Sequence, residues 1–211
     1  MKTKSTLFSL LVTATSFAFL TNCSGDRKQH ATEAHEGHEN DDKAGHASGA
    51  RVISEASEPQ FQVDETFQKQ LGSLFSSYLE LKEAFIESDA KKVRSEAAGT
   101  NEALAKVDMK LVSGAAHNDW MNYLTPIERS LKEIEQSNDI EAQRQSFSNL
   151  SDNLYKSVKA FGLAGKEAFY EYCPMAFNNE GAHWLSDQEK IRNPYFGDKM
   201  LTCGEVKEKL K

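Results

Sequence analysis

The sequence predicts an all-α fold: an antiparallel four-helix bundle with an irregular aromatic- and cysteine-containing C-terminal segment packed on it. Three observations lead to this prediction. Apolar residues recur at steps of three and four between residues 61 and 162, which is the period of an amphipathic helix. Residues that favour helix ends separate these stretches, and the periodicity stops after Gly162. We therefore assign residues 61–162 to the bundle and residues 163–211 to the C-terminal segment.

Each of the four predicted helices has its own apolar stripe. The stripes run over Phe67–Phe85, Val93–Leu111, Trp120–Ile134 and Ile140–Phe161. Because the connections between them are short, consecutive helices should be antiparallel. The stripe residues are expected to form the core.

The residues at the ends of the stripes agree with this division. Asp64, Asp89 and Asp139 precede the first, second and fourth stripes, and aspartate is a favourable N-cap residue. Gly114 is expected to separate the second helix from the third. Gly162 is expected to end the fourth, since glycine is common just after a helix.

Pro126 lies inside the third stripe and conflicts with a regular helix there. Proline lacks the backbone N–H that an interior helical position donates. The third helix is therefore predicted either to kink at Pro126 or to restart there, with Thr125 as its cap and Glu128 completing a capping box.

The N-terminus has the features of a bacterial export signal. Lys2 and Lys4 precede an apolar run over residues 7–20, which is too short to span a bilayer, since about 20 residues are needed. Residues 20–23 then resemble a lipobox that ends at Cys23. We predict a lipoprotein signal peptide over residues 1–22 and lipidation of Cys23; the alternative is an ordinary cleaved signal in which Cys23 is incidental.

Lipidation would anchor the protein to a membrane in the cell envelope, and we expect the outer membrane with the protein facing the periplasm. Residues 23–60 have few large apolar groups and many charges, so they are predicted to be a disordered tether. The domain proper is then expected to cover residues 61–211.

The tether carries four of the six histidines, surrounded by acidic residues: His30, His35, His38 and His46. Histidine-rich tracts bind metals such as zinc, copper and nickel, so weak metal capture is one interpretation. The other is that these histidines are ordinary polar linker residues, and the sequence does not separate the two.

Charge and motifs exclude several classes of function. The net charge is −7, from 25 Lys and Arg against 32 Asp and Glu, which argues against nucleic acid as a partner because phosphate binding needs a basic face. The sequence has no zincin motif, nucleophile elbow or phosphate-binding loop. We therefore expect that the protein is not an enzyme.

His117 and Met121 lie one helical turn apart at the start of the third helix. Such a pair could bind a soft metal ion. Because methionine usually fills gaps in packing, we interpret His117 as a polar helix-start residue and Met121 as a contact at the rim of the core.

The C-terminal segment concentrates the sulfur chemistry. Cys173, Met175, Met200 and Cys203 could form a thiolate and thioether site with His183 as a possible helper; soft sulfur ligands favour Cu(I) or Ag(I). Alternatively, Cys173 and Cys203 could form a structural disulfide, which an oxidising compartment favours. A redox-active dithiol is a weaker third interpretation, because the cysteines lack the Cys-x-x-Cys spacing.

The same segment carries motifs that resemble the DUF3347 family. They are Cys173-Pro174-Met175-Ala176, Gly181-Ala182-x-Trp184-Leu185-Ser186, residues 191–197 (IRNPYFG) and Met200-Leu201-x-Cys203-Gly204. The helical part adds Tyr78-Leu79-x-Leu81-Lys82, His117-x-x-Trp120-Met121 and Arg144-x-x-Phe147. The resemblance covers roughly residues 65–208.

The resemblance implies an exported bacterial protein of unassigned biochemistry. The family's domain also occurs fused to periplasmic adaptors of heavy-metal efflux systems, and the Cys-Pro-Met triplet resembles an element of metal-binding modules attached to copper transporters. We therefore expect a non-catalytic accessory that binds Cu(I) or Ag(I) and serves heavy-metal efflux or resistance. The alternative is a protein–protein interaction module of an efflux or envelope assembly with a Cys173–Cys203 disulfide.

Overall fold

The computed structural model describes residues 58–211. It contains four long helices: α1 (Glu65–Glu87), α2 (Ala90–Leu104), α3 (Gly114–Gln136) and α4 (Ile140–Phe161). Three strands follow: β1 (Ala168–Cys173), β2 (Ala182–Ser186) and β3 (Glu205–Leu210). The predicted signal peptide, the lipidation site Cys23 and the tether histidines His30, His35, His38 and His46 lie outside the described residues.

The helix ends follow the predicted capping residues. The Asp64 carboxylate accepts a hydrogen bond from the Thr66 backbone N–H, and Asp89 and Asp139 cap α2 and α4 in the same way. Gly162 ends α4 with a φ of +73°, a backbone conformation that costs glycine little. These predictions are confirmed.

The second helix is shorter than its apolar stripe. It ends at Leu104, and a separate 3-10 helix covers Met109–Leu111. The prediction of one helix through Leu111 is therefore wrong. Val107 is still buried, and the Asp108 backbone N–H donates to the Gln70 side chain, which ties the connection to α1.

The third helix is continuous through Pro126. A restart capped by Thr125 is therefore wrong; the Thr125 hydroxyl instead donates to the Met121 carbonyl one turn earlier. Gly114, expected as a separator, is the first residue of α3, with a φ of +60°.

The helices enclose one hydrophobic core. α1 packs against α2, α2 against α3 and α3 against α4, and α4 also contacts α1. Near one end, Phe67, Trp120 and Phe161 meet edge to face, with ring centroids 5.2 to 6.2 Å apart. Edge-to-face contacts add stability beyond the burial of apolar area.

No helix within residues 58–211 is both long and apolar enough to cross a membrane.

The C-terminal segment is not irregular as predicted, and the fold is not all-α. Its strands form an antiparallel sheet in the order β2-β1-β3. Phe169–Tyr172 lies in β1, the central strand. The sheet as a whole was not predicted because β2 has only five residues and four of the six residues of β3 are charged. Such strands are too short and too polar to indicate a core strand.

A buried hydrogen-bond chain attaches the sheet to the helices. The Leu185 backbone N–H donates to the Tyr78 hydroxyl at 3.1 Å, and Tyr78 shares a 2.7 Å hydrogen bond with the Ser151 hydroxyl. Since Ser151 donates to the Phe147 carbonyl, Tyr78 is the donor to Ser151. One tyrosine on α1 thus links α4 to β2.

Candidate functional site

The two C-terminal cysteines lie side by side. Cys173 is the last residue of β1, and Cys203 comes just before β3, which pairs with β1 through Tyr172 and Glu205. The two sulfur atoms are 3.3 Å apart, and both thiols are unbonded in this structure. The fold therefore brings together two thiols that are thirty residues apart in the sequence.

The Asn193-Pro194 loop fixes the position of Cys203. The Asn193 side chain donates to the Cys203 carbonyl at 2.7 Å and accepts from the Tyr195 backbone N–H at 2.8 Å. The Tyr195 hydroxyl donates to the His183 carbonyl on β2. Asn193 and Tyr195 are both buried, so the motif around them holds the second thiol in place.

Gly204 allows the chain to pass close to Trp184. Its φ is +145°, and a Cβ at this position would lie 2.8 Å from the Trp184 ring and 3.0 Å from the Tyr172 carbonyl oxygen. Only glycine fits without displacing the ring. The close packing of Trp184 thus explains why a glycine follows Cys203.

The two thiols differ in their access to solvent. Cys173 is completely buried, whereas Cys203 is partly exposed. Partial burial, together with the contact with Cys173, raises the pKa of the Cys203 thiol above its ordinary value. Metal ligation and nucleophilic attack both require the thiolate, so at Cys203 both must overcome this preference for the neutral thiol.

The two predicted methionine ligands lie in different surroundings. Met200 is half-buried, and its carbonyl accepts a 3.0 Å hydrogen bond from the Cys203 backbone N–H, which places it in the turn next to the thiols. Met175 is 47% exposed. It lines a cavity of about 310 Å³ together with Glu141, Phe177 and Tyr195, and neither cysteine borders that cavity.

His183 lies on β2 opposite Tyr172. Its ring stacks on Tyr170 at 4.5 Å and against Tyr172 at 4.6 Å. Since alternate residues of a strand face opposite sides of the sheet, Tyr172 and its neighbour Cys173 point in opposite directions. The structure therefore places His183 in an aromatic stack on the face opposite the buried thiol.

Two buried ionisable side chains near the sheet were not anticipated. Glu171 is completely buried, and neither of its carboxylate oxygens makes a hydrogen bond. Lys82 on α1 is also buried, with its ammonium 3.3 Å from the Ser186 hydroxyl. Burial raises the pKa of Glu171 to about 8, and Asp187 adds to this, while Lys82 and Trp184 oppose it.

Among residues 58–211, no three side chains of His, Cys, Asp or Glu converge on a point suited to a metal ion. A metal at the cysteine pair would therefore be held by the two thiolates alone or with a methionine thioether. Thioether and thiolate ligands select soft ions such as Cu(I).

The structure thus defines a mostly helical domain whose C-terminal sheet carries a pair of adjacent thiols. Residues 74–166 match the model of a family described as "Protein of unknown function (DUF3347)". This part of the chain is therefore similar to the DUF3347 family. The matched residues include Tyr78, His117, Trp120 and Arg144 but end before the sheet, so both cysteines lie beyond them.

No curated protein and no solved structure matches the chain significantly.

Proposed function

We propose that the protein is a non-catalytic accessory of the bacterial envelope that binds Cu(I) or Ag(I) through Cys173 and Cys203. The observation that carries this proposal is the 3.3 Å separation of the two sulfur atoms. Two sulfurs can share one ion when they lie within two metal–sulfur bonds of each other, about 4.6 Å if each bond is roughly 2.3 Å as for zinc. The pair needs little movement to reach that geometry.

Binding at this pair is coupled to proton release. Both ligands must become thiolates, so an ion displaces up to two protons. Because the pKa of the Cys203 thiol is raised, protons compete more strongly with the ion than at an ordinary cysteine. Affinity should therefore increase with pH up to and beyond pH 8.

Met200 is the thioether placed to complete the site. It lies three residues before Cys203 in the same turn, and a methionine side chain is flexible enough to adjust its sulfur position. Met175 would have to leave the cavity that it lines, and His183 lies on the opposite face of the sheet. The proposed ligand set is Cys173, Cys203 and Met200.

In this proposal the remaining parts of the chain serve the site. The four helices form an antiparallel bundle that supports the sheet. The signal peptide and lipidated Cys23 deliver the domain to the outer membrane, facing the periplasm, and the tether histidines offer weak capture. A heavy-metal efflux adaptor is the proposed partner that receives the ion.

A second candidate function is favoured by the complete burial of Cys173. A buried thiol in contact with a second thiol is well placed to form a structural disulfide. Closing a thirty-residue loop would stabilise the fold by roughly 3–4 kcal/mol in the chain-entropy account. The sheet would then be a pinned surface of an interaction module that docks on an envelope partner.

Cu(I) competition distinguishes the two functions. The full chain carrying Cys23→Ala, kept reduced, should withdraw one Cu(I) per chain from a chromogenic Cu(I) chelator, and Cys173→Ser with Cys203→Ser should abolish this. Met175→Leu is the matched control and should bind as the parent does. If the double serine variant withdraws the same amount of Cu(I) as the parent, the thiol site is wrong.

The disulfide is tested on protein isolated from the envelope. Absence of reactive thiols and a mass two hydrogens lower than the reduced chain would support the structural disulfide. Two titratable thiols, with Cu or Ag retained in the isolated protein, would support the metal site.

A further inference from the structure

A second group of soft ligands lies at the start of α3, within the residues that match the family and away from the sheet. Met109 begins the 3-10 helix before α3, and His117 and Met121 lie in the first turns of α3. The His117 ring nitrogen Nδ1 is 3.4 Å from the Met109 carbonyl oxygen. The connection between α2 and α3 therefore folds back onto the histidine.

This contact leaves the other ring nitrogen available. When Nδ1–H donates to a backbone carbonyl, the neutral tautomer has its lone pair on Nε2. Metal-bound histidines usually donate their second ring N–H in this way, which fixes the ring orientation. His117 is half-buried, so its Nε2 can face a ligand that comes from solvent.

Two methionines belong to the same region of the chain as this histidine. Met121 is one helical turn after His117, and residues four apart on a helix have Cβ atoms about 5–6 Å apart. The Met109 carbonyl contacts the ring, and the Met109 side chain is 40% exposed. Met109 and Met175 are the two large apolar side chains that are exposed within residues 58–211. The long, flexible side chain of Met109 can bring sulfur to the same side.

We propose that His117, Met109 and Met121 form a second binding site for a soft monovalent ion, Cu(I) or Ag(I). One imidazole and two thioethers are neutral ligands that favour such ions over zinc or magnesium. The site uses no thiol, so it does not rest on the cysteine pair. It would hold an ion in an oxidising compartment even when Cys173 and Cys203 are joined in a disulfide.

The test uses Ag(I), which does not change oxidation state, supplied as its nitrate without chloride. The full chain carries Cys23→Ala, Cys173→Ser and Cys203→Ser, and His30, His35, His38 and His46 are each changed to Asn. Calorimetric titration should show one Ag(I) bound per chain. Loss of an outer-shell partner of a metal site weakens binding by roughly 10- to 100-fold. His117→Gln, Met121→Leu and Met109→Leu each remove a proposed ligand itself, so each should weaken Ag(I) binding by at least this factor.

Met175→Leu is the matched control, because it removes an exposed thioether far from His117 in the sequence; it should leave Ag(I) binding unchanged. The proposal is overturned if the thiol-free chain binds no Ag(I), or if His117→Gln and Met175→Leu have equal effects.

A spectroscopic readout keeps the test decisive if the multiple variant folds poorly. In the chain with both cysteines intact, nitrogen NMR should show the His117 Nε2 resonance shifting as Ag(I) is added beyond the first equivalent. His183 provides the internal reference, since its ring is stacked between tyrosines. An unshifted His117 at saturating Ag(I) contradicts the site.

Discussion

Glu171 shows how a single buried residue can make stability depend on pH. Its carboxyl group has a pKa of about 8 in the folded protein and 4.5 in its ordinary state, mainly because burial disfavours the charged form. The folded state therefore binds this proton more tightly than the unfolded chain. The stabilising contribution is complete below about pH 4.5 and is lost as the pH rises through 8.

We expect the free energy of unfolding to fall between pH 5 and pH 8 by up to about 1.4 kcal/mol per pH unit from this group. Urea denaturation of the metal-free, reduced protein at several pH values measures this change in the free energy of unfolding. Glu171→Gln should remove this part of the slope because it cannot ionise. Parallel pH curves for the two proteins would show that Glu171 does not titrate in this range.

Two glycines give opposite predictions at the residue scale. Gly204→Ala should destabilise the protein by roughly 1–3 kcal/mol, because its φ of +145° and the close Trp184 ring both exclude a Cβ. Gly99→Ala, in the exposed interior of α2 with no atom within 4 Å of the added Cβ, should stabilise it by about 0.5–1 kcal/mol. Denaturant midpoints of the two variants give the signs directly, and a neutral effect at Gly204 would contradict the close packing described here.

At the scale of elements, Tyr78 determines how firmly the sheet is attached to the helices. Tyr78→Phe leaves the buried Leu185 backbone N–H without its acceptor. A buried unsatisfied donor costs about 1–3 kcal/mol, so the variant should lose that much stability. Hydrogen exchange at Leu185 should accelerate by a corresponding factor.

Tyr123→Phe is the control for this prediction, because Tyr123 is only partly buried and lies on α3, away from the sheet. Tyr123→Phe should lower the free energy of unfolding by about 0.5 kcal/mol or less, as most surface changes do. Equal losses for the two tyrosines would mean that the hydroxyl of Tyr78 has no special role.

The elements differ in how much of them the sequence allowed us to predict. The four long helices were predictable because their apolar periodicity and aspartate caps are local signals. The end of α2 was not, because Val107 continues the apolar stripe and is buried although the helix ends at Leu104. The sheet was missed because the stability of a short, charged strand such as β3 comes from pairing with β1, which no local pattern reveals.

The candidate site was predictable in part. Cys173 and Cys203 stood out as the even pair left after Cys23, and the structure places their sulfurs in contact. Asn193 and Tyr195, which position Cys203, were missed as site residues. Glu171, two residues before Cys173 on β1, was missed as well. The one local sign that Glu171 is buried is its position among aromatic residues in a strand. The hydrogen bonds of Asn193 had no local sign, because they depend on a loop that only the tertiary structure defines.

At the scale of the whole molecule, the domain combines two regions with soft ligands on a helical scaffold. The thiol pair lies on the C-terminal sheet, and the histidine–methionine group lies at the junction of α2 and α3. In our proposal the first region binds an ion only through reduced thiols, whereas the second region uses no thiol. Together the two proposed sites would hold a soft ion whether the thiols are reduced or joined in a disulfide.

The most direct test of the thiol site is protection of its cysteines from alkylation. The reduced Cys23→Ala chain, kept folded and treated with a small alkylating reagent with and without one equivalent of Ag(I), reports the state of Cys173 and Cys203 by mass. If the two thiols hold the ion, one equivalent should slow alkylation of both cysteines together, and Met175→Leu should behave identically. Alkylation of both cysteines at the ion-free rate would contradict the thiol site.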